Sequence, residues 1–229
     1  MTKLLREKNV LFLHIPRTGG TWVESALDVC KIRSTRWSRI APYVDRLPKN
    51  HLFLSHHRTS IADVKGIFCF VRHPLTYYES VYKFICRAHK MRIWKWSPFF
   101  SAEICYNTVK GDWNRWLIEM MKDEPAWYTR LIEGYVGPKE GEFVHFIGRQ
   151  ENLVEDFLSA MKYFGYQDVD QYRKKLFALE HVHKIDQPLK WDPNVQAQIE
   201  QMENSVIKRF YQGKNSRRLH YLDMEESLS

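Results

Sequence analysis

The chain has 229 residues, 44% of them apolar, with 35 Lys and Arg against 27 Asp and Glu. That length and composition exclude a disordered tail and suit one α/β domain with a full core. The formal charge of +8 favours anionic partners or plain solubility and says nothing about fold.

Residues 9–15 (NVLFLHI) are predicted to form a short, fully buried strand stopped by Pro16. The stretch before Pro16 has too short an apolar run for a signal peptide and is assigned to that strand. A helix is predicted from Thr21, where Trp22, Ala26 and Cys30 recur at every fourth residue beside Val23 and Leu27. HLFLSHH (51–57) is the second predicted strand and GIFCFV (66–71) the third, closed by Arg72-His73-Pro74. Tyr77, Val81, Phe84 and Ile85 mark a helix over about 75–90. A Trp- and Tyr-rich helical insertion is expected over about 91–142. FVHFIG (143–148) is a fourth strand, and ENLVEDFLSAMKYFG an amphipathic helix ending at Gly165. The C-terminal region is expected to be helical, starting at Pro193 and running to Gly213.

Strands alternating with helices imply an α/β fold, a central parallel β-sheet flanked by helices, in a single domain over 1–229. No stretch approaches the roughly 20 apolar residues of a membrane span. The four cysteines (Cys30, Cys69, Cys86 and Cys105) lack C-x-x-C spacing and fall in apolar segments. They are expected to be buried thiols of a reducing compartment, and the location expected is cytoplasmic.

The loop HIPRTGGTW (14–22) lies between the first strand and the first helix. In such a strand–loop–helix unit, loop amides, the first helical N–H groups and the helix dipole converge on one spot and favour an anion. Gly19 and Gly20 let the backbone wrap closely, Thr18 and Thr21 offer hydroxyls, and Arg17 offers a planar charged fork. A plain tight turn is the bland alternative. The nucleotide-hydrolase loop G-x-x-x-x-G-K-[ST] is missing, and neither following strand ends in the aspartate that positions magnesium. The equipment suits a phosphate-bearing donor that transfers without a metal. In FVRHPLTYYESVY, Arg72 stands at a strand end and Ser80 about two helical turns past Pro74, a pair able to grip a second phosphate.

Together these segments resemble the sulfotransferase family, whose donor is 3′-phosphoadenosine 5′-phosphosulfate (PAPS). Pro16-Arg17-Thr18-Gly19-Gly20-Thr21-Trp22 matches the family's P-K-[ST]-G-[GTS]-[ST]-W loop, with arginine in place of the usual lysine. Arg72-x-Pro74 with Ser80 matches R-[DNH]-P-x(5)-S, and Gly148-Arg149-Gln150-Glu151-Asn152-Leu153 echoes a later helix-opening segment. The resemblance spans roughly residues 9–165 in order and spacing. It implies a P-loop-like fold in which the loop holds the 5′-phosphosulfate and Arg72 with Ser80 the 3′-phosphate. Trp22 then takes the position that stacks on adenine, with a core tryptophan as its other reading. It also implies 3′,5′-bisphosphate (PAP) as product, no metal, and a histidine base at the end of the strand before Arg72. The family register favours His56, with His57 in reserve. Arginine at position 17 stabilises leaving-group charge but is too basic to donate a proton.

His14 is expected to be structural, and His181 with His183 lack a third metal ligand. Trp113, Trp116, Trp127 and Tyr128 with Lys83, Arg87, Lys90, Arg92 and Lys95 form either an acceptor cleft suited to anionic glycans or a satellite core under a basic face. Lys214, Arg217 and Arg218 are a looser match to a basic 3′-phosphate loop. The expected partner is a hydroxyl-bearing acceptor, a glycan or another small molecule, with no nucleic acid and no membrane segment. The rivals are a nucleotide or sugar kinase and a non-enzymatic polyanion binder.

Overall fold

The computed structural model describes residues 2–36, 64–90, 100–109, 111–137, 144–179 and 189–212. The strand expected at 51–57, with His56 and His57, lies outside these residues, as do His181, His183, Lys214, Arg217 and Arg218. The described residues fall into two compact units. The first draws on Met1–Arg72 and Leu131–His183, the second on His73–Arg130 and Lys184–Gly213.

Among the described residues, the first unit is built on a five-stranded sheet. In chain order the described elements of both units begin with β1 (Lys3–Leu5), β2 (Val10–Phe12), α1 (Gly20–Val29), β3 (Ser34–Arg36) and β4 (Gly66–Val71). Helices α2 (Pro74–Lys90), α3 (Phe100–Val109), α4 (Trp113–Asp123) and α5 (Trp127–Val136) follow. Then come β5 (Phe146–Arg149), α6 (Leu153–Tyr163), α7 (Arg173–Phe177), α8 (Pro193–Met202) and α9 (Asn204–Phe210). The strand order is β3-β1-β2-β4-β5. Its centre is parallel as expected: Phe12 pairs with Phe68, and Phe68 with Phe146. Its β1–β3 side is antiparallel, which the expectation of a central parallel sheet did not include. β1 and β2 form a hairpin whose turn, Arg6–Asn9, closes with Asn9 at φ 53°. Asparagine tolerates that left-handed conformation better than most residues.

The expected bounds hold closely for α1, β4 and α2. Just before β5, His145 Nδ1 accepts the Ile67 N–H at 3.1 Å, tying the strand's approach to β4. At the end of α6 the amides of Gly165 and Tyr166 donate to the carbonyls of Lys162 and Met161, satisfying the last orphan acceptors. The core of the unit joins Phe12, Phe68, Phe70 and Phe146 of the sheet to Trp22, Val23, Leu27, Phe157 and Leu158 of the helices. Burying a phenylalanine contributes roughly 1.5–3 kcal/mol, so this cluster fixes the sheet and the helix behind the loop.

The second unit is helical and aromatic. Trp116, Tyr78 and Tyr128 are fully buried, and Tyr77 lies on Tyr128 with ring centroids 4.0 Å apart. The indole N–H of Trp116 donates to the Ala102 carbonyl at 2.8 Å. The insertion aromatics Trp113, Trp116, Trp127 and Tyr128 therefore form a core, as one of the two sequence readings had it. The single C-terminal helix expected from Pro193 is two helices, broken at Glu203. The Glu203 carboxylate is fully buried and accepts from the Tyr78 hydroxyl (2.7 Å), the Thr129 amide (2.8 Å) and the Thr129 hydroxyl (2.6 Å). Asp192 caps α8 by accepting from the Asn194 amide at 2.8 Å, with Pro193 at the first helical position. Cys30, Cys69 and Cys105 are buried thiols and Cys86 is half-buried. No described helix is long and apolar enough to cross a membrane.

Candidate anion-binding loop

β2, β4 and β5 run parallel, so the segments that follow them emerge at one edge of the sheet. That edge is where open α/β sheets hold their ligands. After β2 comes the loop 14–19, after β4 comes Arg72, and β5 ends in Arg149.

Each loop residue is held by a specific neighbour. The Thr18 hydroxyl, buried at 2% exposure, donates to the Ile15 carbonyl at 2.8 Å. Its proton is thus used inside the loop; the Thr21 side chain is exposed. Gly19 takes φ 96° as the N-cap of α1, and a β-carbon there would meet Leu153 Cδ1 at 2.9 Å. Both the conformation and the close approach require glycine. Gly20 opens the helix against His14, whose ring would lie 2.0 Å from a β-carbon at that position. The His14 ring is stacked on Phe12, and burial, the largest influence, holds its pKa down at about 4. His14 is therefore neutral near pH 7 and serves as packing for the loop, in line with the structural role expected of it.

Arg17 lies at φ 68°, and its carbonyl accepts a hydrogen bond from Arg72 Nη1 at 3.3 Å. The α1 N-terminus has no side-chain cap; its first amides lack intrahelical acceptors by geometry. The result is a glycine-wrapped helix N-terminus with two guanidinium-bearing residues, one of which is bonded to the loop itself. Such an arrangement favours an anion. The chain finds no match among family models, curated proteins or solved structures.

Trp22 is 3% exposed, packed edge-to-face on Phe157 with centroids 5.8 Å apart. Its indole nitrogen has no hydrogen-bond partner among the described residues. This is the core position the sequence allowed for it. Ser80 belongs to the second unit and is buried at 4% exposure.

Sequence reasoning missed the supports contributed by the segment after β5. Asp156 accepts from the Arg149 amide and from Asn152 Nδ2, each at 2.7 Å, and so ties the strand end to α6. Burial raises its carboxyl above the usual range, against the lowering effect of those donors. Leu153, the last residue of the echoed motif, is the one that meets Gly19. Arg149 Nε is buried without a hydrogen-bond partner among the described residues. In the second unit a groove of about 520 Å³ is lined by Ile118, Met121, Lys122, Gln198, Gln201 and Met202. It presents no base or nucleophile, and Lys122 pairs with Glu119 at 2.9 Å.

Proposed function

We propose that the chain is a PAPS-dependent sulfotransferase that moves a sulfuryl group to a hydroxyl of an acceptor, a carbohydrate among the candidates and an amine the lesser one. The observation that carries this reading is the uncapped, glycine-wrapped N-terminus of α1 on the carboxyl edge of the sheet, with Arg72 bonded to it. The loop residues Arg17, Gly19, Gly20 and Thr21 hold the 5′-phosphosulfate. Arg72 holds the 3′-phosphate.

In the reaction the acceptor oxygen attacks sulfur in line. A new oxygen–sulfur bond forms as the bond from sulfur to the bridging oxygen breaks, and the electron pair leaves with PAP. The hydroxyl proton passes to His56, with His57 the alternative, since an imidazole titrates near neutrality. Arg17 stabilises charge on the leaving phosphate as a fixed cation. A kinase lacks support in the missing Gly-Lys-Ser/Thr, and a polyanion binder explains the charge of +8 but not the motif order.

Titration calorimetry with PAP in the presence of chelator tests the reading. Binding is expected, with a thermal stabilisation of about 2.7 kcal/mol at a hundredfold excess over Kd. No binding at high micromolar PAP would sink it. His56→Ala should keep PAP binding and lose turnover by about a hundredfold or more, the low end for a positioned base. His57→Ala is the matched control and should keep most activity. The reverse result moves the base to His57; two active variants would mean that neither histidine is the base.

A further inference from the structure

A left-handed backbone at a residue with a β-carbon is opposed by its own sterics, so Arg17 at φ 68° needs something to hold it. Bonds within the loop include Thr18 to the Ile15 carbonyl, and the Val23 amide to the Gly19 carbonyl at 3.1 Å. Neither touches the Arg17 peptide. A bond that does comes from the residue after β4, 55 positions away, where Arg72 Nη1 donates to the Arg17 carbonyl. Arg72 follows β4, whose neighbour β2 leads into the loop, so the donor stands on a rigid element buried along its whole length.

We infer that Arg72 is a positioning residue for the phosphosulfate loop: it latches the Arg17 carbonyl and holds the loop in its anion-ready shape, coupling that grip to the second phosphate site. A guanidinium carries five N–H donors, so a bond to a carbonyl does not by itself bar it from a phosphate. An anion that orients Arg72 then strengthens the latch, and a loop ordered by its own anion presents Arg72 in return, because such coupling is reciprocal. The inference rests on reading the loop as the site of the 5′-phosphosulfate, but its first test needs no ligand.

Hydrogen exchange on the ligand-free full chain compares the Val23 amide, which reports the loop-to-helix junction, with the Leu13 amide, which donates to the Phe68 carbonyl in the strand core at 2.8 Å. In Arg72→Ala the Val23 amide should exchange about ten- to a hundredfold faster, the range set by a charge-assisted hydrogen bond, with Leu13 unchanged. Arg72→Met keeps the aliphatic stem and removes only the donors, and it should give the same pattern. Adenosine 5′-phosphosulfate, which lacks the 3′-phosphate, should bind either variant about tenfold or more weakly, because the ready loop is less populated. PAP should lose more, since it also loses its own contact. Unchanged Val23 exchange overturns the latch. Equal acceleration of Val23 and Leu13 in both variants also overturns it, because Arg72 would then be holding the core. A wild-type chain that binds neither nucleotide would sink the sulfotransferase reading while leaving the exchange result to decide the latch.

Discussion

The N-terminus of α5, in the second unit, is filled from within the chain. Glu203 places its carboxylate on the amides of Tyr128 (3.2 Å) and Thr129 (2.8 Å), the second and third residues of that helix. The N-terminus of α1, in the first unit, starts from Gly19, which has no side chain to offer and closes no such contact. Both helix ends carry the same partial positive charge and the same orphan donors. Where the chain supplies the anion, the site is fully buried and serves cohesion. Where it supplies only glycines and arginines, the helix end is uncapped by any side chain, and the proposed function gives it to a ligand anion.

The difference is sharpest in what removal does. Glu203→Ala should destabilise the protein by about 3–5 kcal/mol, because it strips a buried network and leaves two amides and two hydroxyls without their acceptor. Urea unfolding measures it, and a loss under about 1 kcal/mol would mean that water replaces the carboxylate. On the proposed function the loop before α1 should show the opposite: no such internal carboxylate to lose, and stability gained on adding PAP.

Gly20 breaks the comparison from the other side. It is a helical residue, and alanine in a helix ordinarily stabilises by up to ~1 kcal/mol. Here the added β-carbon would meet the His14 ring at 2.0 Å, so the sign should reverse. Gly20→Ala is expected to cost about 1–3 kcal/mol, the usual range for overpacking, and to weaken PAP sharply. In a His14→Ala background the same change should be neutral or stabilising. Additive effects of the two substitutions would show that His14 is not what confines Gly20.

The parts of this unit that were legible in sequence are those with strong local signals. Continuous apolar runs marked β2 and β4, and the glycines and Pro74 punctuated the elements after them. β1 and β3 were not legible, because KLL and STR are three residues each and too short to show a period. They are strands only because β2 offers them an edge in series. The break between α8 and α9 was equally hidden. Glutamate is a good helix former, and the partners that draw Glu203 inward lie 125 and 74 positions away. At the loop the motif identified Arg17, Gly19, Gly20 and Arg72 as a set. It gave no sign that one arginine holds the peptide of the other, since that depends on the pairing of β2 with β4.

The smallest expected effect concerns protonation beside the loop. The pKa of His14 falls from an ordinary 6.5 to about 4, chiefly by burial, with Arg17 adding to the fall and Glu24 opposing it. A base whose folded pKa is depressed binds fewer protons in the folded state than in the unfolded one. Stability therefore rises with pH through the window between the two values and is lost as pH drops from about 6.5 towards 4. Below about 4 both states are protonated, and the loss is complete. A difference of that size caps the effect near ~3 kcal/mol, and because the ring keeps some contact with water, about 1–2 kcal/mol is expected. His14→Phe keeps a ring against Gly20 and removes the titration. Unfolding free energies measured from pH 7 to pH 4 should fall less steeply for this variant than for the wild type, by that amount. Parallel curves would mean that the imidazole stays in water and that another group packs the loop. A flatter curve with PAP binding intact at pH 7 would fix the role of His14 as a neutral wall behind Gly20, in contrast to Glu203, which works by accepting four hydrogen bonds.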